Sequence, residues 1–133
     1  MGLTYVDSCI LIYALEGHGA RGAAARHAIG SAEDALGTSP LVLTECLVGP
    51  LRTHDLELRD RYLALGDRFV RIDLGSEAFL RAAEIRADFG LRTPDALHLA
   101  AAQLAGCDQF WTNDTRLAAA SHGLAIDVIG PGG

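Results

Sequence analysis

"LTYVDSCILIYAL", residues 3–15, reads as two elements joined at an acid. Leu3 to Val6 is short, aromatic and β-branched, the composition of a strand, whereas Cys9 to Leu15 continues as a longer apolar run with helical character. Asp7-Ser8 stands where one gives way to the other, and either side chain can accept from the free amides of a helix's first turn. A strand running straight into a helix is the opening of an α/β unit, whose strands pair in parallel.

The same alternation continues along the chain. Gly17, Gly19 and Gly22 loosen the connection to a second helix near Ala23 to Ala32, followed by a short strand at Leu36 to Thr38. Ser39-Pro40 then combines an N-cap with a proline at the first helical position. The helix after it, "LVLTECLVGPL" (41–51), carries Glu45 at its middle, and Pro50 is expected to end or kink it. Asp55 to Leu65 is helical and closed by Gly66, "FVRIDL" (69–74) is a strand, and Ser76 caps a helix running through Phe89 to Gly90. Thr93-Pro94 repeats the cap-then-proline start and places Asp95 in the first turn of a helix from Pro94 to Ala105. "QFWT" (109–112) is a strand, Asn113-Asp114 begin a short helix to Ser121, and "AIDVI" (125–129) is a last strand. The expected architecture is one α/β domain over 1–130, with about five mostly parallel strands and helices on both faces, and a flexible tail at 131–133.

Composition narrows the class. The 133 residues suit a single domain with a real core, and with half the residues hydrophobic but only 6% aromatic that core is aliphatic. No apolar run reaches the ~18 residues of a membrane span, and Asp7 interrupts the N-terminal apolar stretch where a secretory signal would be uninterrupted. Cys9, Cys46 and Cys107 are odd in number and widely spaced in apolar surroundings, which reads as free thiols of a cytoplasmic protein. The net charge of −6 argues at first against a nucleic-acid partner, although all eleven basic residues are arginine, the better residue for bidentate phosphate contacts. GC-rich coding is the plainer reason for the missing lysine.

Four acids stand out by position: Asp7, Glu45, Asp95 and Asp114. Asp7, Asp95 and Asp114 lie at helix starts, where capping alone would account for any one of them. Capping does not account for Glu45, which interrupts an apolar run in mid-helix. If the four converge, each pair ~4 Å apart repels by roughly 1 kcal/mol in water and about 4 kcal/mol at an effective dielectric near 20. A cation resolves that repulsion, and carboxylates without clustered His or Cys suit Mg²⁺ or Mn²⁺. No contiguous calcium loop is present. With four of the seventeen acids assigned to a metal, thirteen face eleven arginines, a balance of −2, which no longer excludes RNA.

"VDSC" after the first strand, Glu45 in the third helix, "PDALHLAAA" (94–102) and "TNDTRL" (112–117) together resemble the PIN-domain ribonucleases, and the size resembles the VapC-type toxins of toxin–antitoxin pairs. The resemblance runs from Leu3 to Ile129. It implies a three-layer α/β/α fold whose acids meet at one edge of a parallel sheet. It further implies that Asp7 and Asp95, completed by Glu45 and Asp114, bind Mg²⁺ or Mn²⁺ and hydrolyse RNA, single-stranded or structured. Ser8, Thr112 and Asn113 fit supporting roles, holding carboxylates or water. A cognate antitoxin protein and a homodimer follow from family habit. Cys9 departs from the small polar residue more usual after the Asp-Ser or Asp-Thr pair.

His98 lies one turn after Asp95, and a hydrogen-bonded structural histidine is the plainer reading beside one that orients the carboxylate or touches substrate. Arg92 and Arg116 are candidate RNA contacts for their closeness to the acids, whereas Arg52, Arg59, Arg61, Arg68 and Arg71 read equally well as a solvated face. Tyr5, Tyr13, Phe69, Phe79, Phe89, Phe110 and Trp111 are expected in the core. A receiver domain or aspartyl-phosphate phosphatase would require a lysine, which the chain lacks. The remaining alternative is a PIN-like module that binds RNA or protein without cleaving, a reading under which four mutually repelling acids have no purpose.

Overall fold

The computed structural model describes residues 2–130, so the tail expected at 131–133 lies outside the described residues. The first strand, β1 (Leu3–Val6), leads into α1 (Ser8–Glu16) and α2 (Gly19–Ser31); β2 (Ala35–Thr38) leads into α3 (Pro40–Arg52) and α4 (Leu56–Asp67). After the short β3 (Val70–Arg71) come α5 (Ser76–Phe89) and α6 (Thr93–Leu104), then β4 (Gln109–Trp111), α7 (Thr115–Ala120) and β5 (Ala125–Ile126). The strands form one parallel sheet in the order β3-β2-β1-β4-β5, flanked by helices in a three-layer α/β/α arrangement.

That order locates the functional edge. From β1 the chain winds outward through β2 and β3, then crosses back to build β4 and β5 on the other side of β1. The winding reverses between β1 and β4, and ligands of open α/β sheets bind beyond the carboxyl ends of strands at such a reversal. The residues just past those two ends are Asp7 and Thr112. The Asp7 N–H donates to the Trp111 carbonyl at 3.0 Å, so the pairing of β1 with β4 extends to the acid itself.

Local chemistry explains the element ends. Ser39 Oγ accepts from the Val42 N–H at 3.3 Å ahead of Pro40, and Asp55 Oδ1 accepts from the Leu58 N–H at 3.1 Å. Gly90 closes α5 in the left-handed region, at φ 69°, which a residue with a Cβ adopts only under strain. Along α6, every residue from Ala96 to Ala102 is buried, so the helix that is apolar nearly all the way round is indeed enclosed. Burying a leucine such as Leu99 contributes roughly 1.5–3 kcal/mol relative to leaving it exposed. Tyr5, Val6 and Phe110 fill the sheet's centre, the Tyr5 and Phe110 rings stacking at 5.0 Å.

Several expectations are corrected in detail. Pro50 lies inside α3, close enough to its end that the helix runs on only to Arg52. Gly75 rather than Ser76 is the N-cap of α5, and Arg92 rather than Thr93 that of α6. Gly17 and Gly22 pack closely instead of loosening the chain: a Cβ on Gly22 would lie 2.3 Å from the Gly17 carbonyl oxygen. Phe79 and Phe89, expected in the core, are 54% and 42% exposed. The cysteines are free, with Cys46 and Cys107 buried and Cys9 half-buried. No helix among the described residues is long and apolar enough to cross a membrane.

Candidate metal centre

Asp7 follows β1 directly and is 7% exposed. Its Oδ1 accepts from the Ser8 N–H at 2.8 Å, capping α1. Its Oδ2 accepts from the Thr112 hydroxyl at 2.8 Å and from the Cys9 thiol at 3.8 Å. Burial pushes the Asp7 carboxyl above the usual carboxylate range, and the neighbouring Glu45 charge pushes the same way. His98, Thr112 and Ser8 offset only part of that rise. Cys9, the departure from the family pattern, is also raised by burial, to about 12, so it stands beside Asp7 as a hydrogen-bonding thiol rather than a thiolate.

Glu45 reaches the same place from the middle of α3. Its Oε1 accepts from His98 Nε2 at 2.6 Å, and its side chain is 33% exposed. Partial burial opposes its ionisation. The His98 hydrogen bond and charge, with the Ser8 hydroxyl and the Arg92 guanidinium, outweigh that and hold it below the usual range. One ligand atom each from Asp7, Glu45 and His98 lie within 4.8 Å of one another. This is the tightest grouping of potential ligands among the described residues, and it contains a histidine that no H-x-x-x-H or E-x-x-H spacing betrays.

Asp95 and Asp114 stand outside that group. Asp95 lies in the first turn of α6, one turn ahead of His98, and accepts from Arg92 Nε at 3.2 Å; its side chain is 16% exposed against 78% for Arg92. Asp114 caps α7, accepting from the Arg116 and Leu117 N–H groups at 2.9 and 3.2 Å. It is tied to Asp7 through Thr112, whose hydroxyl donates to Asp7 and accepts from the Asp114 N–H at 3.1 Å. Asn113 is half-buried between them and Arg116 is exposed. In the arginine-rich stretch, Arg59 and Arg71 pair locally with Asp60 and Asp73, as a solvated face would.

These residues fit a divalent cation. Two carboxylates and an imidazole converge where burial disfavours the charge on Asp7, and no arginine among the described residues ion-pairs with either Asp7 or Glu45. The amino ends of α1 and α7 face the same edge and favour negative charge there. Oxygen donors dominate the set, which suits Mg²⁺ or Mn²⁺.

Comparisons with known proteins agree with this architecture. The chain resembles a toxin–antitoxin complex from Klebsiella pneumoniae, at 24% identity and a TM-score of 0.78, over 93% of this chain and 96% of that one. It resembles VapC20 of Mycobacterium tuberculosis, a sarcin-ricin loop cleaving toxin, at 19% identity and 0.75, over 88% and 94%. It also resembles VapBC2 of Rickettsia felis bound to a DNA fragment from their promoter, at 16% identity and 0.73, over 93% and 97%. At these identities the likeness is one of fold. No curated protein sequence matches. The model of the PIN domain matches residues 4–123, nearly the whole described chain and all four acids, and the protein therefore belongs to the PIN domain family.

Proposed function

We propose that the protein is a Mg²⁺- or Mn²⁺-dependent endoribonuclease that acts in the cytoplasm as the toxin of a toxin–antitoxin pair. The observation that carries this reading is the buried Asp7 carboxylate at the reversal between β1 and β4, facing Glu45, with no arginine among the described residues ion-paired to either acid. Two proteins of similar fold, a toxin–antitoxin complex and a sarcin-ricin loop cleaving toxin, support the substrate class and the partner.

When bound, the cation supplies a water of lowered pKa for in-line attack at phosphorus and offsets charge on the departing oxygen. The chain's own residues do the rest. Thr112 and the Ser8 amide fix both oxygens of Asp7, so the carboxylate is aimed before any ligand arrives. Asp95 and Asp114 complete the acidic set from the starts of α6 and α7, with Asn113 beside them. Arg92 pairs with Asp95 at the rim of the site and, with Arg116, would meet the phosphates flanking the scissile bond. An antitoxin would silence the enzyme by covering this edge, and the active toxin would be a homodimer.

The test is direct. Purified protein, freed of any partner, should cut RNA with Mg²⁺ or Mn²⁺ and stop with EDTA or on Asp95→Asn. Identical cleavage profiles from metal-loaded wild type and Asp95→Asn across a transcriptome would instead favour the non-cleaving binding module.

A further inference from the structure

His98 is 1% exposed, and both of its ring nitrogens are engaged. Nε2 meets Glu45 at 2.6 Å, and Nδ1 lies 2.7 Å from the Tyr5 hydroxyl. The Tyr5 hydroxyl lies 2.8 Å from Ser39 Oγ, which accepts from the Val42 N–H at 3.3 Å. Tyr5 and Ser39 are 0% and 1% exposed, so water does not compete for the links from His98 Nδ1 through Tyr5 to Ser39, and only the Glu45 end is partly open to solvent. The order of donors is self-consistent. An ionised Glu45 only accepts, so Nε2 carries the proton. With Nδ1 as the acceptor from the Tyr5 hydroxyl, Tyr5 accepts from Ser39, and Ser39 accepts from the Val42 N–H.

The path of this chain is what gives it meaning. It begins at Glu45 in α3, passes through α6 and β1, and returns to α3 at its own N-cap. The three elements it ties together carry Glu45, Asp95 and, just past the end of β1, Asp7. A histidine needed only for packing would not require a partner on the one mid-helix acid of the site. Nor does the geometry favour His98 as a ligand, because the lone pair a cation would take is occupied by the proton shared with Glu45. Asp7 Oδ1 is 3.9 Å from Nε2, too far for a hydrogen bond, so Glu45 alone receives it.

We infer that His98, anchored by Tyr5 and Ser39, is a positioning residue that sets the Glu45 carboxylate toward Asp7 before cation or RNA arrives. This rests on the metal-dependent reading above. The acids are then pre-aimed by two separate devices: Thr112 and the Ser8 amide for Asp7, and a buried His–Tyr–Ser chain for Glu45.

The experiment titrates Mn²⁺ into wild type, Tyr5→Phe, His98→Gln and His98→Ala, following free Mn²⁺ by electron paramagnetic resonance, with thermal unfolding of each in EDTA. Tyr5→Phe touches no ligand, yet should weaken Mn²⁺ binding about 10-fold and lower kcat for RNA more than it raises KM. His98→Gln, which keeps a donor for Glu45, should lose less affinity than His98→Ala. One measurement needs no variant: spin-echo spectra of Mn²⁺-loaded wild type should lack the coupling of a directly bonded imidazole nitrogen. Its presence would make His98 a ligand and overturn the inference. So would Mn²⁺ affinities in Tyr5→Phe and His98→Gln equal to wild type. Wild-type protein that takes up no Mn²⁺ at all would remove the metal-dependent reading itself, and this inference with it.

Discussion

The sheet has a pair of acids close together at each end, and only one pair makes a candidate site. At the amino end, Asp34 before β2 accepts from the Gly2 N–H at 3.2 Å, and Asp108 before β4 accepts from the Leu3 N–H at 3.0 Å. A Cβ on Gly2 would lie 2.6 Å from the first carboxylate and 2.5 Å from the second, so both crowd the same short backbone. Asp108 is exposed and Asp34 half-buried, and each only holds a backbone amide at the start of β1. At the carboxyl end, Asp7 is buried and held by an amide, a hydroxyl and a thiol, while Glu45 is held by an imidazole. Nearness of carboxylates is common to both ends. What separates them is desolvation, the amino ends of helices pointing at the acids, and the reversal of winding that leaves room between β1 and β4.

The sharpest way to break that contrast is Asp7→Asn. RNA cleavage should fall about a thousandfold, as expected for losing several kcal/mol of metal-dependent stabilisation, and Mn²⁺ should no longer raise the melting temperature. In EDTA the variant should be as stable as wild type or more so at neutral pH. Because the folded pKa of Asp7 is raised by burial, its contribution is fully present below the unfolded value. It is lost as pH rises through the folded value, where the native state must ionise a buried carboxyl that the unfolded chain has already ionised. Glu45, whose pKa is lowered, has the opposite sign, so wild type must be read against the variant. The melting-temperature difference in favour of Asp7→Asn should grow as pH rises above about 4, where an unfolded aspartate ionises. A flat difference would mean that Asp7 is no more desolvated than the acids of the amino end.

Thr112→Val probes the support rather than the ligand. It removes the donor to Asp7 Oδ2 and the acceptor for the Asp114 N–H with little change of shape. Cleavage should fall about 10- to 100-fold, and unfolding in urea should show a loss of about 1–3 kcal/mol from the unsatisfied groups. Asp114 then separates capping from catalysis. Asparagine caps as well as aspartate, so Asp114→Asn should keep the melting temperature while lowering cleavage. Asp114→Ala should lower both, the cap being worth about 0.5–2 kcal/mol. Full cleavage by Asp114→Asn would reduce this acid to the role that Asp34 and Asp108 play.

How much of this the sequence carries follows from which forces are local. The alternation of elements was readable because caps, prolines and glycines mark their ends, and Asp7 and Asp114 could be placed after strands for the same reason. Strand lengths were not: "FVRIDL" gives only Val70–Arg71 and "AIDVI" only Ala125–Ile126, because both are edge strands with a single neighbour to pair with. The reversal between β1 and β4 is a property of sheet order, which no local pattern encodes. For His98 the sequence showed the character of a hydrogen-bonded histidine but not its partner. Its partner Glu45 is 53 residues away, and on α6 alone it is one buried polar residue among alanines and leucines. Its only local signal was its place one turn after Asp95, which is compatible equally with packing and with the site.

The smallest expected effect closes the comparison from the other end. Asp108→Asn and Asp34→Asn keep an oxygen to accept from the Leu3 and Gly2 amides, and both sites lie at the edge of the sheet opposite the candidate centre. Each should change stability by no more than about 0.5 kcal/mol and leave RNA cleavage and Mn²⁺ affinity at wild-type values. Since either change removes one negative charge, as Asp7→Asn does, it also controls for net charge. A drop in cleavage here would point to long-range electrostatics rather than ligation, and raising the salt concentration should then abolish it. An effect that survives high salt would mean that the amino-end acids belong to the chemistry, and that burial is not what distinguishes the two ends.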